Sequence, residues 1–357
     1  MSDGDVDLRD EYATRAWRHW YDGPLRPTAP LTEGRRVEPV GLGFAVLIAP
    51  AYAAGGPTAV RVELAALAAL AFCLAAALAR SLVPEPWATR AAAVAGLSPP
   101  ALAAATTVSP ECAGAAVLAG AALLALRVRQ EPRLPRAATG AALVATLPWL
   151  AAKLAAPGVV VAAALARWLR RRQRGLTGFV ALEVALMSAV LYVTVDDRLF
   201  GALTPNDVAP GGPTGAHGLQ DHLARAPRLL GVWLDPHDGV LIRAPFLALA
   251  FGALALLWRS RRGRLAVTVQ AQGDVEASAA FLALVVLAGA LVAAFLAPAL
   301  GGAGGVAGSG VPARQLVPVL PELAALAAWG LRFAPRAGAL LAVATLAESV
   351  ALLLTRI

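Results

Sequence analysis

Two separate stretches of this chain place a basic side chain where it could bind a phosphate group. Lys153, the only lysine, ends the sequence LPWLAAK that begins at Leu147. Arg314 lies in PARQLVPVLP, whose prolines interrupt the start of an apolar run. Arginine binds phosphate through two parallel hydrogen bonds, and lysine binds it as a point charge. The alternative for both residues is an anchoring role, because such side chains also extend to lipid headgroups.

Two other stretches carry acidic side chains. Glu111 follows Ser-Pro and opens an apolar run, where an acid in the first helical turn could also serve only the helix terminus. Asp235, His237 and Asp238 directly precede another apolar run, which contains Arg243. An acid–His–acid cluster could support acid–base chemistry or bind a divalent metal. The spacing is weak for a metal site and also fits a solvated loop end, so we predict no metal ligands.

The composition indicates that these residues are positioned by membrane-spanning helices. The chain has 357 residues, of which 58% are hydrophobic and 15% charged, whereas about 25% is usual for soluble domains. The net charge of +8 is explained by loops facing anionic lipid headgroups, and we predict no nucleic-acid partner. Cys73 and Cys112 lack the spacing of a zinc site or a disulfide framework.

We therefore expect an all-α, polytopic transmembrane helix bundle of about ten spans. The apolar runs have about the length that crosses a bilayer as a helix, and they cover residues 58–79, 89–107, 111–126, 137–152, 155–169, 176–195, 240–258, 277–298, 315–331 and 337–355. The predicted organisation is an outer loop with an interfacial helix at 1–57, an N-terminal transmembrane bundle at 58–195, a long outer loop at 196–239 and a C-terminal transmembrane bundle at 240–357.

The arginine clusters predict the orientation of this bundle. They fall in alternate gaps between the apolar runs, at Arg80/Arg90, Arg127–Arg136, Arg167–Arg174, Arg259–Arg264 and Arg332/Arg336. The positive-inside rule assigns those gaps to the cytoplasm. The remaining gaps then face outward, and they contain His19, Glu111, Lys153, His217, His222, Asp235, His237, Asp238 and Arg314.

The N-terminal region is harder to place. Val40–Ala54 is apolar but short and contains Gly41, Gly43 and Pro50, so we interpret it as an interfacial or re-entrant helix. With ten spans, both termini then lie outside, although residues 1–38 contain no segment that would translocate them. We therefore expect a further span upstream of Met1. The alternative is a cytoplasmic tail, with Val40–Ala54 crossing the membrane.

The order of these motifs resembles the GT-C class of polytopic glycosyltransferases, which includes protein-mannosyltransferase-like and aminoarabinose-transferase-like membrane enzymes. The resemblance rests on APAYAAGG (Ala49–Gly56), the pair Pro110-Glu111, LPWLAAK (Leu147–Lys153), LLGVWLDPHDGVLIRAP (Leu229–Pro245) and PARQLVPVLP (Pro312–Pro321). It implies transfer of a sugar from a polyprenyl phosphate to an acceptor at the outer face of a bacterial plasma (inner) membrane, with inversion. Its implied partners are membrane lipids and the polyprenyl-phosphate sugar, and it implies no cofactor.

The resemblance also implies roles for individual residues. Lys153 and Arg314 would bind the donor phosphate, and the pocket would be shaped by Glu111, Asp235, His237, Asp238 and Arg243. The catalytic acid of such enzymes lies just after the first span. We expect that acid upstream of Met1, with Asp3, Asp5 and Asp7 as weak substitutes, and a form that is truncated or inactive as written.

Two other functions are compatible with the sequence. A transporter or flippase is suggested by acids within apolar runs, because intramembrane acids often mark ion paths; these are Glu63, Glu183, Glu322 and Glu348. No inverted repeat supports that reading. A non-catalytic membrane scaffold that retains the fold is the third possibility.

Overall fold

The computed structural model describes residues 7–19, 23, 41–171, 175–200, 225–236, 238–262, 269–295 and 312–355. Within these ranges the chain is helical and contains no β-strand. The predicted all-α class is therefore confirmed for this part of the chain.

The helices are named here in chain order. They are α1 (Arg9–Thr14), α2 (Leu42–Ala79), α3 (Trp87–Gly96), α4 (Pro99–Ala105), α5 (Glu111–Gln130), α6 (Leu134–Leu150), α7 (Ala155–Arg171), α8 (Gly175–Phe200), α9 (Pro227–Leu234), α10 (Val240–Arg243), α11 (Ala248–Arg262), α12 (Val269–Phe295), α13 (Pro312–Gln315), α14 (Leu320–Phe333) and α15 (Pro335–Thr355). Short 3₁₀ turns occur at Ala16–His19, Ala152–Leu154, Pro245–Leu247 and Val317–Val319.

Several of these helices are suited to a membrane. Among the described residues, 5 helical segments are long and apolar enough to cross it, namely Leu42–Ala79, Glu111–Gln130, Ala152–Arg170, Asp274–Phe295 and Pro335–Leu354. Each begins or ends close to a predicted apolar run. The chain is thus a helical protein with the features of a multi-pass membrane protein.

Three of the predicted runs are not single helices, and one of them, at 315–331, is interrupted near its start, where its prolines lie. The run at 89–107 divides into α3 and α4 after Gly96, and the run at 240–258 divides at Ala244, whose φ of −139° and ψ of 70° are not helical. The expectation of an unbroken helix is wrong at both places. Prolines explain the breaks, since Pro99 and Pro245 each lack an N–H donor and disfavour helical geometry in the preceding residue.

The start of α2 shows a break that the sequence did predict. The backbone leaves helical geometry at Gly55 and Gly56, between the apolar segment Val40–Ala54 and the run at 58–79. Gly56 has a φ of 61° and a ψ of −153°, a backbone conformation that residues other than glycine disfavour because they carry a Cβ atom. Residues 42–54 therefore form a helical segment distinct from the longer one that follows.

The core is continuous across both halves of the chain. Helix α14 lies at its centre, where it contacts α2, α3, α11 and α12, and residues 320–328 are buried. Helix α5 packs against α2, α6 and α7 and is buried along most of its length. Close packing depends on small residues: a Cβ on Gly330 would lie 2.3 Å from the Leu249 carbonyl oxygen. This core fixes the start of α5, which carries Glu111, and the start of α14, which follows the segment that carries Arg314.

Candidate functional site

Glu111 is the buried centre of the candidate site. It is the first residue of α5, follows Pro110, and is 4% exposed. Its carboxylate does more than complement the helix terminus, because Lys153 and Arg314 both approach it from other elements. A buried carboxylate requires such partners.

Lys153 reaches Glu111 through an interruption of the helical path. Helix α6 ends at Leu150, Ala151 is extended, and the 3₁₀ turn Ala152–Leu154 then directs the lysine toward α5. The Lys153 Nζ atom lies 2.6 Å from Glu111 Oε1 and donates to Gln315 Oε1 at 2.9 Å. Only 16% of the Lys153 side chain is exposed, and its amine contacts Glu111 and Gln315. Headgroup anchoring alone does not account for this geometry.

Arg314 enters the site from the broken helix start. It lies in the short helix α13, which is followed by the turn Val317–Val319 before α14 begins. Its Nη2 atom is 3.7 Å from Glu111 Oε2, which is an ion pair without a hydrogen bond. Its Nε is buried and has no hydrogen-bond partner among the described residues. The proline-containing motif therefore positions an arginine that retains an unused donor.

The charge balance of this cluster favours an anionic ligand. Two cations and one carboxylate sum to one positive charge, and the carboxylate side chain is 5% exposed. Buried charges are screened only weakly by water, so the net positive charge of this cluster attracts a nearby anion strongly. The unused Arg314 Nε could donate a charge-assisted hydrogen bond to it.

A second, looser cluster surrounds Arg243. Its guanidinium lies 4.0 Å from Asp238 Oδ1 and 3.7 Å from Glu348 Oε2, and its side chain is 40% exposed. The Asp238 N–H donates to Asp235 Oδ1 at 3.0 Å, which closes the turn before α10. Helix α10 contacts α13 and α4, so this cluster lies at the same end of the bundle as Arg314. Exposed pairs at these distances contribute little to stability.

The structure thus brings most of the predicted site residues to one end of the bundle. Lys153 and Arg314 each contact Glu111, while Arg243 and the turn that holds Asp235 and Asp238 lie on or beside helices that adjoin α13. Gln315 is the contact that the sequence analysis missed. Its only sequence signal is its position next to Arg314 in the broken-helix motif.

Of the remaining candidates, which are Asp3, Asp5, Asp7 and His237, only Asp7 is among the described residues, and the other three lie outside them. Asp7 accepts a hydrogen bond from Arg9 Nε at 2.7 Å within the same short segment. No group of three or more His, Cys, Asp or Glu side chains suited to a metal occurs in the part of the chain that the structure describes.

The backbone is closely packed at Gly239, in the turn that holds Asp235 and Asp238. A Cβ at Gly239 would lie 2.5 Å from Asp235 N and 2.7 Å from Asp235 O, both backbone atoms. We expect Gly239→Ala to destabilise the protein by about 1–3 kcal/mol, because the rigid backbone must move. Gly231→Ala in α9 is the matched control, since a Cβ there meets nothing within 4 Å. Unfolding of both variants in detergent measures this, and equal stabilities would contradict the packing argument.

Comparisons with known proteins do not assign the chain to a family. No protein-family model, no curated protein and no solved structure matches it.

Proposed function

We propose that this chain is a GT-C-like membrane glycosyltransferase with about ten spans, which moves a sugar from a polyprenyl-phosphate donor to an acceptor at the outer face of the plasma membrane. The observation that carries the proposal is the contact of Lys153 and Arg314 with the buried Glu111. Two cations from distant parts of the chain meet at one end of the helix bundle. Such convergence suits one phosphate group better than two independent headgroup anchors.

The site residues have distinct roles in the proposed transfer. The acceptor oxygen forms a bond to the anomeric carbon, and the bond from that carbon to the donor phosphate oxygen breaks. The phosphate retains the bonding electron pair, so negative charge accumulates where Lys153 and Arg314 would stabilise it. Glu111 and Gln315 position the lysine amine. The acceptor proton passes to a general base, for which the described residues provide no assigned candidate.

Glu111 is a positioning residue in this scheme. Its carboxylate is held by Lys153 at 2.6 Å and by Arg314 at 3.7 Å, so it serves both cations at once. Removing it would leave two like charges close together. The cluster therefore needs the carboxylate to keep its cations in place before the donor binds.

Transport is the second candidate function, and Glu322 favours it. This residue of α14 is fully buried, and its two carboxyl oxygens have no hydrogen-bond partner among the described residues. Intramembrane acids of this kind often mark ion or proton paths. Glu348, by contrast, lies 3.7 Å from Arg243, which supplies a structural reason for its presence.

A binding and transfer experiment tests the proposal. We expect purified protein to bind polyprenyl monophosphate and to bind polyprenol, which lacks the phosphate, at least about tenfold more weakly. Lys153→Met should remove most of that difference, because it deletes one cation of the site. Arg332→Gln is the matched control, since Arg332 lies in the last turn of α14, away from the cluster.

The outcomes separate the candidate functions. Transfer of sugar from a panel of polyprenyl-phosphate donors would establish the enzyme. Phosphate-dependent binding without transfer, but with movement of the lipid across vesicles, would favour the flippase. Equal binding of polyprenol and its phosphate would contradict the proposed site and leave the scaffold as the better account.

A further inference from the structure

A large cavity lies at the opposite end of α5 from Glu111. It has a volume of about 1050 Å³ and is bounded by α5, α7 and α12. Arg129, which lines it, is 18 residues from Glu111, or about 27 Å along the helix axis. This cavity is therefore separate from the candidate site around Glu111.

One end of the cavity is basic. Arg129 donates to the Asp274 backbone oxygen at 2.9 Å and to Ser278 Oγ at 3.2 Å, and it forms an ion pair with the Asp274 carboxylate. These bonds hold its guanidinium at the cavity wall. Arg167 lines the same cavity and is exposed. Arg129, Arg167 and Asp274 together leave one positive charge.

The remaining wall is apolar and incompletely covered. Residues 159, 163 and 167 of α7 are four positions apart, so Val159, Ala163 and Arg167 share one helix face. Val159 is 65% exposed, and Leu284 on the facing helix α12 is 54% exposed. Phe281 extends the apolar surface between them. The cavity thus combines a long apolar wall with a single basic end.

We propose that this cavity binds one anionic phospholipid. Its phosphate would contact Arg167 beside Arg129, and an acyl chain would cover Val159, Ala163 and Leu284. The arginines belong to clusters that the positive-inside rule places in the cytoplasm, and basic pockets between helices on that side of a membrane suit anionic headgroups. A soluble phosphate compound would use the basic end but leave the apolar wall exposed.

The test compares phosphatidylglycerol with zwitterionic phosphatidylcholine, added to the purified full-length chain in detergent. We expect native mass spectrometry to detect one tightly retained phosphatidylglycerol and a weaker, non-saturating signal for phosphatidylcholine. Arg167→Gln should weaken phosphatidylglycerol binding about fivefold, the effect expected for one basic side chain near a headgroup. Arg170→Gln is the matched control, because Arg170 is exposed on the same helix but does not line the cavity.

Two further variants locate the lipid. Ala163→Phe places a ring against the wall where the acyl chain would lie, without changing the charge of the cavity, and should abolish tight retention of the lipid. Arg332→Gln, at a residue that belongs to neither site, should leave phosphatidylglycerol binding unchanged. Equal weakening by Arg167→Gln and Arg170→Gln would show general charge attraction and overturn the proposal. Retention of the lipid by Ala163→Phe would overturn it as well.

Discussion

Replacement of Glu111 by alanine is expected to destabilise the folded protein by about 3–5 kcal/mol, the usual cost of removing one partner of a buried ion pair. The carboxylate lies 2.6 Å from Lys153 Nζ and 3.7 Å from Arg314 Nη2, and only 5% of its side chain is exposed. Without it, two cations remain close together at the end of α5. Unfolding of the reconstituted protein, followed by the loss of tryptophan fluorescence or by steric trapping, measures the effect.

The double variant Glu111→Gln with Lys153→Met is the informative control. It removes a positive and a negative charge while approximately preserving side-chain volume, so we expect it to recover much of the lost stability. Glu131→Ala provides a surface comparison, because Glu131 pairs with the exposed Arg133 and the partly exposed Arg136. That substitution should change stability little. A wild-type unfolding curve for Glu111→Ala would show that the buried cluster has no structural role.

The convergence of Lys153 and Arg314 was partly accessible from sequence. The alternation of arginine clusters placed both residues at the same predicted face of the membrane, and the shared face is a necessary condition for contact. A shared face is not sufficient, because one end of a helix bundle is wide enough for Lys153 and Arg314 to contact lipid headgroups at separate places. Contact depends on the 3₁₀ turn at Ala152–Leu154 and on the broken start before α14, which are set by tertiary packing.

Gln315 shows why the site was incompletely predicted. An uncharged amide beside a conspicuous arginine has no distinctive chemistry in a linear sequence. Its role arises only because Lys153 Nζ lies 2.9 Å from its Oε1 atom. The cavity beside Arg129 was missed for a similar reason, since its walls come from α5, α7 and α12, and no single run of residues records it.

Helical continuity was also only partly predictable. Hydropathy averaged over a span-length window identifies apolar runs, but it is insensitive to one or two residues that lack a backbone donor. Pro99 and Pro245 therefore divide two runs that look continuous by composition. The break at Gly55 and Gly56 falls at the predicted boundary, because Val40–Ala54 is short and contains Gly41, Gly43 and Pro50, which set it apart from the run at 58–79.

In a form of the protein that transfers sugar, the largest effect on activity is expected from Arg314→Ala. If Arg314 stabilises the charge that develops on the departing phosphate, its loss should lower kcat by roughly 10²–10³-fold, as removal of one preorganised donor does elsewhere. Its Nε atom is buried and makes no hydrogen bond among the described residues, so a donor is available for the phosphate. The measurement is kcat for steady-state transfer from a polyprenyl-phosphate sugar, supported by the single-turnover rate, with donor binding measured separately.

Arg314→Lys distinguishes the chemical role of the guanidinium from its charge. Lysine keeps the positive charge but lacks the planar pair of donors that binds phosphate in a bidentate manner. We therefore expect Arg314→Lys to retain donor binding better than Arg314→Ala while remaining well below wild-type turnover. Because Arg314 contacts Glu111 at 3.7 Å without a hydrogen bond, the folded structure should tolerate either change better than the loss of Glu111. Unchanged kcat in Arg314→Ala, with donor still bound, would place the leaving-group phosphate away from this residue and would assign Arg314 a purely structural role beside Glu111.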